Sequence, residues 1–471
     1  MRAVAVLIGA AVLAVGSDWP RYRGPNGTGV SDETGLPAEF SKDKNVVWTA
    51  KIPRGNSSPV VLGSRVYLTA HEGEARMLLC LDANSGKQIW QQSINRSRTE
   101  TPHPLNGFTT PSVATDGKLL FVYYPEVGLL AYDLDGKEQW RVPLASYGAV
   151  QGMAVSPVYA DGKVMLLVDT PEEAFVTAWH AASGKEAWKV ERPSGFLGSY
   201  ATPSLWKPVK GGTQLIAAGA VELTAYDVAT GKRVWWARDI TNAPAALPLV
   251  AGDSVYTLEP AGEGAPPFAQ MANAYDKNKD GKVDISTEVS GDRINDKIMY
   301  RLFSAIDKHY GDRDNAVTEA EYLKSFSPDN PAGGLVRTRL GGTGDVSKNA
   351  VVWRHRKGLP YVTAALLYAK TLYVVRDGGI VMRVDPETGK VIDQNRLKDA
   401  VGQYYASPVA ADGKVYFVSK DGKTTVVKAS PEWTIMSSGD LGEDVIATPA
   451  ISGKRLFVRT ASALYCFGAA A

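Results

Sequence analysis

Oxygen-bearing side chains stand at positions 276, 278, 280 and 284 of the stretch DKNKDGKVD. Gly281 follows the third of them and permits the sharp turn that folds such a segment around one point. Carboxylate and amide oxygens that converge in this way are the ligands that a hard cation such as Ca²⁺ prefers. We therefore predict a calcium site whose ligands are Asp276, Asn278, Asp280, the backbone carbonyl of Lys282, and Asp284.

This spacing is similar to the calcium loop of EF-hand proteins, with one departure at the end of the loop. The last loop position, where a bidentate Glu normally supplies two ligands, is Thr287, and Glu288 comes one residue late. The predicted site therefore keeps its affinity only if the loop stretches to use Glu288.

A second and poorer copy of the loop ends at Glu321. Counting back from this residue assigns Thr318, Asp314 and Asp312 to ligand positions. The first position then falls on Tyr310, which cannot serve, unless three extra residues let Asp307 take its place. Apolar residues at helical spacing over 292–307 predict an amphipathic helix between the two loops. We predict an EF-hand-like pair, and the alternative is an acidic helical insert that binds no ion.

The elements around this insert come from a repeat that runs through the rest of the chain. Each copy starts with a small residue, usually followed by Pro, and continues through an apolar run, a Gly/Asp turn and a second apolar run. The eight copies are 57–69, 109–122, 155–168, 201–218, 246–258, 363–375, 406–418 and 447–458.

A second phrase follows most copies, in which Asp and Gly-Lys separate an apolar strand from a strand with Trp. It occupies 78–90, 129–140, 176–188, 223–235 and 381–393. Gly-Lys after a short polar run is typical of a hairpin turn, so each repeat is two hairpins or four antiparallel strands. Eight such sheets bury both faces when they stack around an axis, which predicts an all-β, eight-bladed β-propeller. Trp90, Trp140, Trp188 and Trp235 are predicted to pack between blades.

The two ends of the chain fit one closed ring. The eighth copy stops after its third strand, 463–468, and the stretch 45–52 has the pattern of a fourth strand alone. We predict that this N-terminal strand completes blade eight. The predicted domains are a signal peptide (1–16), an N-terminal extension (17–44), propeller (45–261), the EF-hand-like insert (262–331) and propeller again (332–471).

The loops that lead into the first strands should form one mouth of the propeller. They carry aromatic and amide side chains that suit a binding surface. The predicted mouth residues are Asn56, His103, Asn106, Phe108, Gln151, Tyr200, Tyr361, Gln403, Tyr404 and Asp444. The alternative is that these residues only plug the channel or cap strands. We expect a protein, peptide or glycan ligand at this mouth.

The first 16 residues indicate export. Arg2 is followed by an apolar run over 3–15 and by Ala14-Val15-Gly16, which is a small-x-small cleavage pattern. The alternative is an uncleaved N-terminal anchor. No other segment has the length and hydropathy to span a membrane, so we expect a periplasmic or secreted bacterial protein.

Composition excludes several classes of function. The net charge is +2, and the absence of a long basic run argues against nucleic-acid binding. Two Cys residues allow neither a disulfide scaffold nor a Cys-rich metal site. No Ser-His-Asp trio, Gly-rich phosphate loop or zinc-like spacing of the five His residues is present. We expect a monomer.

The two repeated phrases resemble those of the pyrroloquinoline quinone (PQQ)-like repeat family, as does the opening DWPRYRGPNGTGVSDETGLP at 18–37. The resemblance implies the propeller fold over nearly the whole mature chain. It leaves function open, because the family includes quinoprotein alcohol dehydrogenases and a scaffold subunit of the outer-membrane barrel-assembly machinery. Those dehydrogenases carry an adjacent Cys pair, which is lacking here. We expect a non-catalytic binding protein, with a quinoprotein oxidoreductase that uses PQQ and calcium as the alternative.

Overall fold

The computed structural model describes residues 17–99, 106–147, 151–193, 198–260, 267–289, 294–325 and 332–469. Within these residues, eight antiparallel sheets of four or more strands follow one another along the chain. The first strands of adjacent sheets contact one another around a common axis. The predicted eight-bladed β-propeller is confirmed.

The first four blades each take their main strands from one continuous stretch. Blade 1 contains β2 (Val60–Leu62), β3 (Arg65–Glu72), β4 (Ala75–Asp82) and β5 (Gln88–Asn95). Blade 2 contains β6 (Ala114–Thr115), β7 (Leu119–Tyr124), β8 (Gly128–Asp133) and β9 (Glu138–Pro143). Blade 3 contains β10 (Val158–Ala160), β11 (Lys163–Asp169), β12 (Ala174–His180) and β13 (Glu186–Glu191). Blade 4 contains β14 (Ser204–Trp206), β15 (Gln214–Ala218), β16 (Glu222–Asp227) and β17 (Arg233–Arg238), with β23 (Gly344–Asp345) parallel at its edge.

The remaining blades continue the same order. Blade 5 contains β18 (Leu249–Ala251), β19 (Ser254–Glu259), β22 (Gly334–Arg339) and β24 (Val351–His355). Blade 6 contains β25 (Leu366–Tyr368), β26 (Thr371–Arg376), β27 (Ile380–Val384) and β28 (Val391–Arg396). Blade 7 contains β29 (Val409–Ala411), β30 (Lys414–Val418), β31 (Lys423–Lys428) and β32 (Ile435–Asp440). Blade 8 contains β33 (Ala450–Ser452), β34 (Arg455–Arg459), β35 (Ala463–Gly468) and the N-terminal β1 (Val46–Lys51).

The strands of each blade differ in burial according to their distance from the axis. β4 in the middle of blade 1 is buried at every position between its ends, whereas the outer strand β5 alternates between exposed and half-buried residues. A continuous apolar run therefore forms the middle of a blade, and an alternating pattern forms its outer edge. The eight cores join through contacts between neighbouring blades.

Most of the repeated tryptophans connect one blade to the next, as predicted. Trp90 donates a hydrogen bond of 3.0 Å from Nε1 to the backbone carbonyl of Leu134 in the next blade. Its ring lies against Gly136, where an added Cβ would come within 2.9 Å of the ring. The pairs Trp140–Gly184 and Trp188–Gly231 repeat this contact. Trp235 differs, because its Nε1 donates to Gln214 of the same blade.

The N-terminal strand closes the ring as predicted. β1 pairs with β35 in an antiparallel register that joins Trp48 to Cys466 and Lys51 to Ala463. Trp48 also donates to the carbonyl of Ala83 in blade 1, so the closing strand bridges the last and first blades. Cys80 and Cys466 are both buried and free.

The segment before β1 crosses the face of the propeller that carries the turns between the first and second strands of the blades. We call this face, which is opposite the mouth, the lower face. Trp19 pairs with Val61 of blade 1 through two backbone hydrogen bonds. The short 3₁₀ helix Pro25–Gly27 follows, and Asn26 exchanges two hydrogen bonds with the backbone of Leu205 in blade 4. Ala410 of blade 7 bonds to Gly29 and Ser31. This segment therefore covers the lower end of the central channel.

Helices and a small sheet interrupt blade 5 between β19 and β22. They are α1 (Phe268–Tyr275), β20 (Lys282–Asp284), α2 (Ile285–Glu288), α3 (Ile294–Tyr310), β21 (Ala316–Thr318) and α4 (Glu319–Ser325). A short helix, α5 (Ser347–Ala350), precedes β24. The apolar face of this insert packs on Ala220 and Val221, in the turn between β15 and β16 of blade 4.

Candidate functional site

A chain of hydroxyl groups surrounds the central axis. In each blade, the residue two positions before the start of the first strand lies at the same level of the ring. Six of these eight positions carry Ser or Thr, namely Ser58, Ser112, Ser156, Thr202, Ser407 and Thr448. Each hydroxyl accepts a hydrogen bond of 2.9–3.0 Å from the backbone N–H of the equivalent residue in the preceding blade. The chain is interrupted in blades 5 and 6, where Leu247 and Ala364 take these positions.

A cavity of about 230 Å³ lies on the mouth side of this hydroxyl chain. Its floor is Tyr22 from the N-terminal segment, and its walls are the loops that enter the first strands. The lining side chains are hydroxyls, amides, aromatic rings and small apolar groups, and none among the described residues is charged. Such a cavity suits a neutral ligand with both polar and apolar faces.

Amide and aromatic side chains provide the recognition groups of the cavity. Asn106 donates from Nδ2 to the backbone carbonyls of Gln151 and Gly152, at 2.7 and 3.1 Å. Tyr200, Tyr361 and Tyr405 line the opposite walls. Tyr361 is 62% exposed, so its ring is available to a ligand at the rim. Burial raises the pKa of the Tyr200 phenol, which therefore stays neutral at physiological pH.

The structure brings together five of the predicted mouth residues. Asn56, Asn106, Gln151, Tyr200 and Tyr361 line the cavity. His103 lies outside the described residues.

The other predicted mouth residues lie elsewhere. Phe108 packs against the guanidinium of Arg76, 4.5 Å from its ring centroid. Tyr404 is buried and donates its hydroxyl to the carbonyl of Ala400, so that Tyr405 faces the cavity instead. Asp444 is exposed and forms an ion pair with Lys420. Gln403 is exposed and does not line the cavity.

Sequence reasoning missed the floor and the hydroxyl chain of the cavity. Ser58, Ser112, Ser156, Thr202 and Thr448 all line it. Their signal was present in the recurrent Ser or Thr at one position of the repeat, just before the residue that is usually Pro. Tyr22 had no such signal, because nothing in its local sequence places the N-terminal segment under the channel.

The insert contains a second candidate site, formed by acidic side chains. Carboxylate oxygens of Asp307, Asp312 and Glu321 lie within 4.8 Å of one another. Asp307 and Glu321 are buried, and backbone N–H groups of the loop donate to both carboxylates. Oxygen atoms at this separation fit around Ca²⁺, whose ligands lie at about 2.3–2.6 Å. Asp307 therefore lies where the first ligand of the loop is expected if the loop carries three extra residues, in place of Tyr310.

The first loop of the insert has a different arrangement. Asp276 accepts hydrogen bonds from the backbone of Lys279 and Gly281, and Asn278 and Asp280 accept from residues two further along. Glu288 reaches back to accept from the backbone N–H groups of Lys277, Asn278 and Asp284. Its carboxylate thereby closes the loop, although it comes one residue late in the sequence.

The two loops are joined by the small sheet of β20 and β21. Val283 pairs with Val317, so one apolar residue from each loop faces the other. Their side chains lie in one apolar cluster with Phe303 and Ile306 of α3. This pairing holds the two acidic loops side by side.

Comparison with known proteins gives one family over most of the chain. A family model described as outer membrane protein assembly factor BamB matches residues 30–164, 74–272 and 172–470. A protein of that name from Bordetella pertussis is 25% identical over 174 residues, which are 35% of this chain and 39% of the relative. A polyvinylalcohol dehydrogenase from Pseudomonas sp is 25% identical over 197 residues, which are 38% of this chain and 30% of the relative.

These matches cover only part of the curated relatives, at most 39% of their length. Among solved structures, a europium-containing methanol dehydrogenase aligns with a TM-score of 0.60, covering 96% of this chain and 98% of that chain at 12% identity. That similarity establishes the propeller fold. Within the described residues, no helix is both long and apolar enough to cross a membrane.

Proposed function

The chain belongs to the PQQ-like repeat family, whose matching family model is described as outer membrane protein assembly factor BamB, and on this premise we propose that it is a non-catalytic binding protein of the bacterial envelope. Its ligand is a neutral, polar segment of a partner protein, and a free peptide or a glycan is the alternative ligand. The ligand enters the mouth cavity above Tyr22. The single observation that carries this proposal is the uncharged lining of that cavity.

The cavity offers recognition without a chemical group that would catalyse a reaction. Asn56 and Gln151 carry amide groups that match the carbonyl and N–H groups of a peptide, and Asn106, whose Nδ2 is bonded to the backbone of Gln151 and Gly152, holds this wall in place. Tyr200, Tyr361 and Tyr405 supply rigid rings that contact apolar faces at low entropic cost. The described lining residues include hydroxyls, but no imidazole, carboxylate, amine or thiol that would activate them lies among these residues.

The residues of the cavity do not fit PQQ, the cofactor of the alternative function. This quinone carries three carboxylates, which need positively charged partners, and a metal beside it needs acidic ligands. Neither kind of side chain lines the cavity in the described part of the chain. Cys80 and Cys466 are buried in blades 1 and 8 and leave no sulfur pair against the channel.

We further propose that the insert binds Ca²⁺, mainly at the site formed by Asp307, Asp312 and Glu321. The first loop offers Asp276, Asn278, Asp280, Asp284, Glu288 and the carbonyl of Lys282 as a second set. Because the insert packs on Ala220 and Val221, calcium would stiffen the mouth side of blade 4.

The binding proposal is tested with arrays of oligosaccharides and unstructured peptides. We expect neutral probes to bind the wild type, and Tyr405→Ala and Asn106→Ala to weaken that binding at least fivefold. Tyr361→Ala removes an exposed ring at the rim, and Tyr300→Ala is its matched control, because Tyr300 is an exposed ring on α3 of the insert. Equal binding by all four variants and the wild type would place the ligand elsewhere and reject the proposal.

A further inference from the structure

Two arginines of the N-terminal segment are buried at the lower end of the channel without a negative partner. Arg23 is fully buried and Arg21 is 6% exposed. Arg21 donates from Nη2 to the carbonyl of Pro203, and Arg23 donates from Nη2 to the carbonyl of Ala365. Pro203 and Ala365 hold the same position of the repeat in blades 4 and 6, so both guanidiniums reach into the ring of first strands.

The guanidinium of Arg21 keeps most of its hydrogen-bonding capacity unused. Its Nε and Nη1 have no partner among the described residues, and neither does Nη1 of Arg23. Arg459 gives the contrast within this chain. It is also buried without a carboxylate, but it donates to Ser57, Thr69 and Pro53 through four hydrogen bonds. Arg459 leaves only its Nε without a partner among the described residues, whereas Arg21 leaves both Nε and Nη1.

Uncompensated charge makes this arrangement costly in the absence of an anion. No carboxylate of the described residues lies within ion-pair distance of Arg21 or Arg23. Burial lowers the pKa of both guanidiniums to about 10, which leaves them charged at neutral pH. A buried positive charge is destabilising unless a negative group pairs with it.

Arg21 also lines a cavity of about 460 Å³ on the lower face. The N-terminal segment forms one wall through Pro20 and Asn26, and the first hairpins of blades 2, 3 and 4 form the others. Lys207 and Asp161 are exposed at its edge, so the cavity opens to solvent there. It lies on the opposite face of the propeller from the mouth cavity and does not share its residues.

We propose that this lower cavity binds a small oxyanion through the guanidinium of Arg21, which lines it. The planar fork of Arg matches the two oxygens of a carboxylate, phosphate or sulfate group. The bound anion neutralises part of the buried charge, and it reaches the buried Nε and Nη1 of Arg21 when the side chain turns toward the cavity. The N-terminal segment is thereby fixed under the channel, since it carries both arginines.

The test is calorimetric titration of the full-length mature protein with inorganic phosphate, sulfate and acetate, in a buffer without added salt. We expect saturable binding of at least one of these ions and an unfolding temperature that rises with its concentration. Arg21→Met keeps the side-chain stem and removes the charge, and it should weaken binding at least tenfold. Arg339→Met, at an exposed position of β22, is the control and should bind within twofold of the wild type.

A third variant covers the case in which Arg21→Met fails to fold. Arg21→Lys keeps the charge and loses the fork, so its affinity should fall threefold or more while the protein stays folded. Absence of binding to the wild type, or equal affinities for wild type and either Arg21 variant, would overturn the proposal. An ion that binds the wild type and is lost only with Lys207→Met would also overturn it, because the site would then lie at the rim.

Discussion

The backbone N–H of Thr448 in the last blade donates a hydrogen bond of 3.0 Å to the hydroxyl of Ser58 in the first blade. Ser58 in turn donates its own N–H to the hydroxyl of Ser112 in blade 2. The first and last blades are therefore joined at the axis as well as at the rim, where β1 completes blade 8. One side chain at one repeat position thus contributes both to closure of the ring and to the wall of the mouth cavity.

Ser58→Ala should destabilise the whole propeller, because it leaves the buried N–H of Thr448 without an acceptor. The expected loss in free energy of unfolding is about 1–3 kcal/mol. Urea denaturation followed by tryptophan fluorescence measures it. Ser64→Ala, in the exposed turn of the same blade, is the control and should change stability by less than about 0.5 kcal/mol. Equal stability of both variants would show that the hydroxyl chain contributes nothing to closure.

Gly136→Ala should cost more than Gly117→Ala, although both glycines have φ near +86°. The first variant places a methyl group 2.9 Å from the ring of Trp90, whereas the second meets open space. Both pay the same backbone strain, so the difference between them reports the tryptophan contact alone. We expect that difference to be about 1–2 kcal/mol in chemical denaturation. A difference near zero would mean that the tryptophan moves aside without loss.

Glu321→Gln should abolish the stabilisation that calcium gives to the insert, because it removes one of three converging carboxylates. We expect the calcium affinity to fall at least tenfold in calorimetric titration. Glu319→Gln is a matched control two residues away, at an exposed position of α4. If the two variants bind calcium equally well, the second loop is not the site, and loss only with Asp276→Asn would move the site to the first loop.

Glu259 should make the protein less stable as the pH rises. Its carboxyl is buried at the end of β19, and burial raises its pKa to about 7, against hydrogen bonds from the backbone of Asn242 and Ala243. The folded state then holds a proton that the unfolded chain has released above about pH 4.5. The stabilisation that Glu259 contributes is therefore complete below about pH 4.5 and falls as the pH rises to about 7. The total loss in free energy of unfolding is up to roughly 3 kcal/mol.

Glu259→Gln isolates this effect, since a neutral side chain takes up no proton. Denaturation at pH 5 and pH 8 should show a larger loss for the wild type than for the variant. Parallel losses would contradict the assignment to Glu259 whatever the stability of the variant at either pH.

The propeller was predictable from sequence because each blade repeats the same physical requirements. A turn needs Gly, the middle strands need apolar runs, and the outer strand alternates, so eight copies reinforce one interpretation. Even the closing strand was visible, because Trp48 sits in the fourth-strand pattern. Blade 2 differs from the other blades in its local spacing, because its Pro111 comes two residues too early. The register of β6 with β7 places Val113 at the usual position of the proline.

The candidate site was predictable only in part, because neighbouring residues in a loop face different directions. Tyr404 and Tyr405 are equivalent by sequence, but Tyr404 finds an acceptor in Ala400 and Tyr405 faces the cavity. Tyr22 became visible only in the fold, because the segment that carries it bonds to blades far away in sequence. In the insert, the loop with the poorer motif has the closer carboxylates, since Asp307 enters from the end of α3.

The most direct test of the binding role is calorimetric titration of the metal-stripped mature protein with PQQ, in the presence and absence of calcium. We predict no saturable quinone heat under either condition, because the described residues that line the cavity include no charged partner for the quinone carboxylates. Calcium alone should give a saturable heat of binding, because it binds to the insert. Saturable quinone binding that Tyr405→Ala or Asn106→Ala removes would contradict the account and would make the protein a quinone-binding oxidoreductase.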